Sequence, residues 1–208
     1  QKGALWLDVE MYGKTAHGSM PDLGVNAVES MAQFVHCFKD IQFAYQPHPL
    51  LGGFTASVTR LNGGIKVNVI PDECHLSMDI RTVPGQSHAA ILDEVNTNLH
   101  SLEEKIPGLK TEVKVIKDHP AVVTEMEDPV VGIFLDVTKE VLGEESRIKG
   151  VRYFTDSAIL TPAWNVPMII CGPGHADLAH QPDEYVEISH LRQAVKIYAL
   201  AVARYLAL

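Results

Sequence analysis

Residues 5–12 read Leu5-Trp6-Leu7-Asp8-Val9-Glu10-Met11-Tyr12. Leu5, Leu7, Val9 and Met11 share one face, while Asp8 and Glu10 share the other. That period of two belongs to a strand half buried against a core. Downstream, Gly13–Gly24 is rich in Gly, Ser and Pro and reads as a loop. Val25, Val28, Met31, Ala32, Val35 and Phe38 then recur at helical spacing. Phe54–Leu61 reads as a second strand, closed by Asn62-Gly63-Gly64. Cys74, Leu76, Met78 and Ile80 alternate with His75, Ser77, Asp79 and Arg81 in a third. Ala89–Leu102 is helical, and Thr111–Lys117 alternates again. The order β-α-β-β-α-β predicts a ferredoxin-like, split βαβ layer with its helices on one sheet face.

The character changes at His119-Pro120. The residue before a proline is pushed to extended geometry, so a boundary falls near Asp118. Beyond it the pattern predicts a helix over Pro129–Leu142, a short extended piece at Val151–Phe154, a strand over Val166–Cys171 and a terminal helix over Ile188–Leu206. Val166–Cys171 is apolar on both faces, as buried parallel strands are. Two strand-like pieces make a thin sheet, so this segment reads as part of a larger α/β domain. The expected division is 4–117 and 118–208.

The 208-residue chain is 46% hydrophobic and 21% charged, which excludes general disorder and fibres. Lys and Arg total 17 against 26 Asp and Glu, a formal net charge of −9. Such a chain lacks the positive charge that non-specific nucleic-acid binding needs. No apolar run reaches the ~20 residues of a membrane span. Cys37, Cys74 and Cys171 are odd in number and sit in apolar context, which predicts reduced, buried thiols and a cytoplasmic protein. The chain opens on Gln1 and enters a strand pattern at once, so it is expected to be a fragment.

Four stretches carry candidate chemistry. Gly172–Tyr185 holds His175, Asp177, His180, Asp183 and Glu184 after an apolar run. Imidazoles and carboxylates suit zinc, although one loop rarely closes a metal site and a solvated loop is an equal reading. His17 stands among small residues in Gly13–Pro21; it can donate to a developing oxyanion, or be a surface histidine. Arg81 can hold a carboxylate in two parallel hydrogen bonds, or pair with Asp79. Thr155 and Ser157 read as pocket-lining hydroxyls or helix caps, since no G-x-S-x-G surrounds Ser157.

The succession GKTAHGSMPDLGVNA (13–27), GGIKVNVIPDECHLSMDIR (63–81), YFTDSAIL (153–160) and GPGHADLAHQPDEYV (172–186) resembles the dinuclear-zinc metallopeptidase family. That family includes acetylornithine deacetylase, succinyl-diaminopimelate desuccinylase, aminoacylase and the glutamate carboxypeptidases. The resemblance implies a lid, which also mediates homodimerisation, followed by the C-terminal piece of an α/β catalytic domain. It implies two zinc ions, with cobalt or manganese as alternatives, and a small N-acyl amino acid or peptide as substrate. His180 matches a metal ligand. His17 matches the lid histidine that reaches the partner subunit's site. Asn68 and Arg81 match lid residues that touch substrate, and Thr155, Asp156 and the Gly172–Gly174 turn match pocket-lining segments. His175 and Asp177 match no ligand. The other ligands and the general base of the family precede the lid, so this chain alone is expected to be inactive. A non-catalytic dimerisation or binding module is the alternative. A small autonomous metal site at His175, Asp177 and His180 is a third.

Overall fold

Alternation in the first strand is what builds the core. A computed structural model describes residues 1–207. Strand β1 (Ala4–Tyr12) pairs antiparallel with β5 (Glu73–Arg81) on one side and β6 (Lys110–His119) on the other; β3 (Thr55–Gly63) pairs antiparallel with β5. The four-stranded order is β3-β5-β1-β6. Helices α1 (Ala27–Phe38) and α2 (His88–Lys105) supply the facing layer. Leu5, Leu7, Val9 and Met11 point into it beside Leu76, Met78 and Ile80, against Met31, Phe34, Val95 and Leu99. Each such side chain contributes ~1.5–3 kcal/mol on burial. The expected ferredoxin-like layer is therefore present, with two additions. Strands β2 (Ala16–His17) and β4 (Val69–Ile70) form a separate two-stranded ribbon.

Helix starts follow capping chemistry. Asn26 accepts from the amides of Val28 and Glu29, at 3.1 and 3.2 Å, and Ser87 accepts from Ala90 at 3.2 Å. Asp128 accepts from Val130 at 2.9 Å ahead of α3 (Pro129–Leu142), which Gly143 ends at φ +79°.

The chain divides into two units: residues 1–122 with 150–158, and residues 123–149 with the segment from Ile159 onward. The second unit holds α3, most of α4 (Ser157–Trp164) and α5 (Ile188–Tyr205). Three expectations fail. Val166–Cys171 is not a strand, and Val166 and Ile170 are exposed. A buried strand needs neighbours on both edges, and none is described in this unit; Met168 instead bonds through both N–H and C=O to the Thr124 hydroxyl, at 2.8 and 2.7 Å. Val151–Phe154 is a bend rather than a strand. Cys37 is exposed, because its position on α1 faces away from the sheet; Cys74 is buried and Cys171 intermediate. Burial pushes the Cys74 and Cys171 thiols up.

Candidate functional site

The ribbon brings His17 and Asn68 together. Ala16 and His17 pair with Ile70 and Val69, and the Gly18 amide donates to the Asn68 carbonyl at 2.9 Å. A Cβ on Gly18 would crowd the Asn68 backbone at 3.2–3.3 Å, so a small residue is needed there. The Ser19 amide donates to His17 Nδ1 at 3.2 Å, and the Ser19 hydroxyl lies 2.8 Å from the same nitrogen. Nδ1 is thus the acceptor, and the proton of the neutral ring sits on Nε2. His17 is exposed, and its Nε2 has no hydrogen-bond partner among the described residues.

Arg81 and Thr155 lie elsewhere. Arg81 ends β5, where Ile80 pairs with Leu5 at the start of β1. The ribbon follows Tyr12, which pairs with Glu73 at the far end of the same two strands. At ~3.3 Å per residue, roughly 25 Å of sheet separates Arg81 from the His17 end. Arg81 pairs bidentately with Asp79: Nε to Oδ1 is 2.7 Å and Nη2 to Oδ2 is 2.8 Å. Trp6 Nε1 also donates to Asp79, at 3.1 Å. Nη1 of Arg81 is buried without a partner among the described residues. The pairing with Asp79 was one of the two readings open in the sequence, and the leftover nitrogen leaves the other open.

Thr155 is held by Gln1. The Thr155 amide and hydroxyl donate to Gln1 Oε1 at 3.0 and 2.8 Å, and Gln1 Nε2 donates to the Thr155 carbonyl at 3.3 Å. The Thr155 hydroxyl also lies 2.5 Å from that of Ser157, while the Thr155 carbonyl accepts from the Ala158 amide at 2.9 Å. The Ser157 hydroxyl, at the α4 start, also reaches Gln1 Oε1, at 3.3 Å. Gln1 itself is buried. Nothing in the sequence flagged this residue, because its partner lies 154 positions away.

In the second unit, Gly174 has φ +93°, a conformation open to glycine. The hydroxyl of Tyr198 on α5 donates to the Cys171 carbonyl at 2.7 Å, just before Gly172. His180 is exposed and takes φ +65°, rare for a residue with a side chain. Its amide donates to Glu184 Oε2 at 3.0 Å. His175 lies instead against His190, with ring centres 5.4 Å apart. Among the described residues no three His, Cys, Asp or Glu side chains converge to hold a metal ion. The structure therefore does not bring His175, Asp177 and His180 together as a metal site.

An antiparallel β-α-β-β-α-β layer, with an exposed histidine on a side ribbon, defines an α+β module of the ferredoxin-like kind. The chain belongs to the M20 peptidase dimerisation domain family, whose model matches residues 1–107. It is 28% identical over 201 residues to an acetylornithine deacetylase of Photorhabdus laumondii, covering 94% of this chain and 50% of the relative. Over 212 residues it is 28% identical to acetylornithine deacetylase of Vibrio cholerae, covering 98% and 53%. Among solved structures, an M20 family metallo-carboxypeptidase from Sulfolobus solfataricus superposes with a TM-score of 0.78 at 17% identity, covering 100% of this chain and 59% of that one. A tripeptidase from Staphylococcus aureus gives 0.75 at 22%, covering 97% and 51%. The chain spans about half the length of the curated relatives it matches.

Proposed function

We propose that this chain is the lid (4–117) and C-terminal catalytic segment (118–208) of a homodimeric, metal-dependent amide hydrolase acting on N-acyl amino acids or small peptides. Its curated relatives carry the name acetylornithine deacetylase, which supports the deacylase form of the reading. The observation that carries the proposal is the separation within the first unit. His17 and Asn68 sit at one end of the sheet, Arg81 and Thr155 at the other. One protomer cannot bring both ends to a single small substrate. Two protomers can, with His17 and Asn68 entering the site that holds the partner's other contacts. The Nε2–H of His17 would then donate to the amide oxygen as it gains charge, worth about 10²–10³ in rate.

His180, with its exposed imidazole and unusual φ, is the one metal ligand proposed from this chain. The remaining ligands of a two-zinc centre belong to the rest of the protein, and they would supply the polarising charge. Gly172 and Gly174 leave room for substrate beside that turn. Exposed Trp164, Ile188 and Val195 give the second unit an apolar surface suited to the remainder of a catalytic domain. The edges of the sheet support the dimer. Both edges carry exposed apolar side chains, Val58 and Leu61 on β3 and Val115 and Ile116 on β6; β6 also carries Lys110, Lys114 and Lys117, which discourage strand addition, and β3 leads to exposed Ile65 and Val67.

The test is subunit complementation in the full-length protein with divalent metal supplied. His17→Ala and Arg81→Ala each abolish turnover of N-acetyl amino acids. Mixed one to one, they recover about a quarter of parental activity, since half the dimers carry one intact site. Absence of parental turnover on N-acyl amino acids and peptides removes the hydrolase reading. Turnover without complementation removes the shared site. The same sheet edges would serve a purely structural dimerisation module, which predicts dimers with no turnover.

A further inference from the structure

The sheet face turned away from α1 and α2 is polar. Leu7, Val9 and Leu76 point into the core, so Asp8, Glu10, His75 and Ser77, which alternate with them, point outward. Cross-strand register sets these side chains in rows. One row runs Asp8–Ser77–Arg60 across β1, β5 and β3, and the next runs Glu10–His75–Asn62. These six residues form the polar lining of one open depression of about 150 Å³.

Part of that lining is already engaged. Glu10 accepts from Lys114 at 2.8 Å and from Tyr12 at 2.5 Å, and lies 3.8 Å from His75 Nδ1. His75 Nε2 lies 3.9 Å from Glu73. The ion pairs around the depression leave out Asp8 and Arg60. Among the described residues neither side chain has a hydrogen bond, and nor do the Asn62 amide and the Ser77 hydroxyl. Asp8 and Arg60 lie two strand spacings apart, about 10 Å at the backbone, with Ser77 between them. The depression thus has an unpaired negative wall, an unpaired positive wall and two free polar groups.

These walls select an occupant. A simple anion meets Asp8 and Glu10, and a simple cation meets Arg60. A metal ion finds no three convergent donors among the described residues. An apolar ligand strips water from four groups and gives them no partner. A small molecule bearing both charges answers both walls. An ammonium offers three donors to the Asp8 carboxylate and the Ser77 hydroxyl, and a carboxylate accepts from Arg60 and Asn62. We propose that this depression binds a free α-amino acid as its zwitterion, with the ammonium toward Asp8 and the carboxylate toward Arg60.

The test is an NMR titration of the 208-residue chain at neutral pH and constant ionic strength. It follows Arg60 Nε–Hε, the Asn62 side-chain amide and the backbone amides of Asp8 and Ser77. L-Alanine is the probe. N-acetyl-L-alanine, which lacks the ammonium, and L-alaninamide, which lacks the carboxylate, are the controls. Saturable shifts at these signals are expected with alanine, with a Kd on the order of 1–10 mM for so small a ligand. Either analogue should bind about tenfold more weakly or worse, since one charged hydrogen-bonding group is gone. Asp8→Asn and Arg60→Gln should each weaken alanine binding by about the same factor. Lys110, opposite Tyr12 on β6, lies outside the depression, and Lys110→Gln should leave the affinity unchanged. Shifts that stay linear, equal affinity for either analogue, or unchanged affinity in Asp8→Asn or Arg60→Gln overturn the proposal. An equal loss in Lys110→Gln also overturns it, as the mark of bulk charge alone. The analogues are compared on the parental chain, so the result does not hang on how a substitution affects folding. Turnover is not measured, and a failed hydrolase assay leaves the result standing.

Discussion

The two units close their cores to different degrees. In the first, β1 contributes Leu7, Val9 and Met11 at 0% exposure, and α1 adds Met31 and Phe34 at the same value. In the second, Val137, Ile197 and Ala201 are buried between α3 and α5, yet Trp164, Ile188 and Val195 stand between 68 and 69% exposed. A sheet with one helical layer buries its apolar face by itself. The helices of the second unit bury one apolar side against each other and leave other apolar side chains exposed. The first unit therefore closes its core within itself, and the second does not.

The strongest challenge to that contrast is a pair of truncations. The two tryptophans, Trp6 and Trp164, fall one in each unit, so Trp164→Phe and Trp6→Phe backgrounds report the units separately. Phe34→Ala lowers the stability read by Trp6 by about 3–5 kcal/mol, from lost burial plus the cavity left behind. Val195→Ala moves the transition read by Trp164 by no more than about 0.5 kcal/mol, because the side chain is already in water. Comparable losses at the two positions would break the comparison.

These differences also mark what could be read from the amino acids. The β1, β5 and β6 alternations and the helices at 27–38, 88–105 and 129–142 were legible because each is a local period imposed by one buried face. Val166–Cys171 carries the same apolar signal, but a strand exists only where partners exist, and partners are not a local property. For the site, the residue types at His17, Asn68 and Arg81 were visible. Their distribution over opposite ends of the sheet was not, since it depends on the register of β1 against β5. The Gln1–Thr155 clip joins chain segments 154 residues apart, and no spacing rule reaches that far.

A smaller effect comes from close approach. A Cβ on Gly13 would sit 2.1 Å from the Val25 carbonyl oxygen, where the Gly13–Val25 loop folds back into α1. Gly13→Ala is expected to cost about 1–3 kcal/mol in chemical unfolding, since backbone must shift. In the second unit Gly132 meets nothing within 4 Å. Gly132→Ala on α3 should stabilise it by about 1 kcal/mol through helix propensity. The opposite signs sharpen the contrast between a tightly threaded and an open unit.

The gentlest probe is charge. On the first unit's outer sheet face, Lys114 Nζ donates to both oxygens of Glu10 at 2.8 Å, and Tyr12 donates at 2.5 Å. The Lys114 bonds, followed by that from Tyr12, hold the Glu10 carboxyl below its ordinary value of 4.5. A depressed folded pKa means the unfolded chain binds the proton more readily. The stabilisation is therefore complete above about pH 4.5 and fades as the pH falls through the folded value. Glu10→Gln should flatten the acid limb of the Trp6-reported stability between pH 6 and 3, with the parent losing more over that interval. In the second unit, the Arg204–Glu140 pair between α5 and α3 is 41% and 53% exposed. Water and salt screen such a pair, and Glu140→Gln should change the Trp164-reported midpoint by less than about 1 kcal/mol. A parental acid limb no steeper than that of Glu10→Gln would show that the cross-strand pair does no more for its unit than an exposed helix pair does for the other.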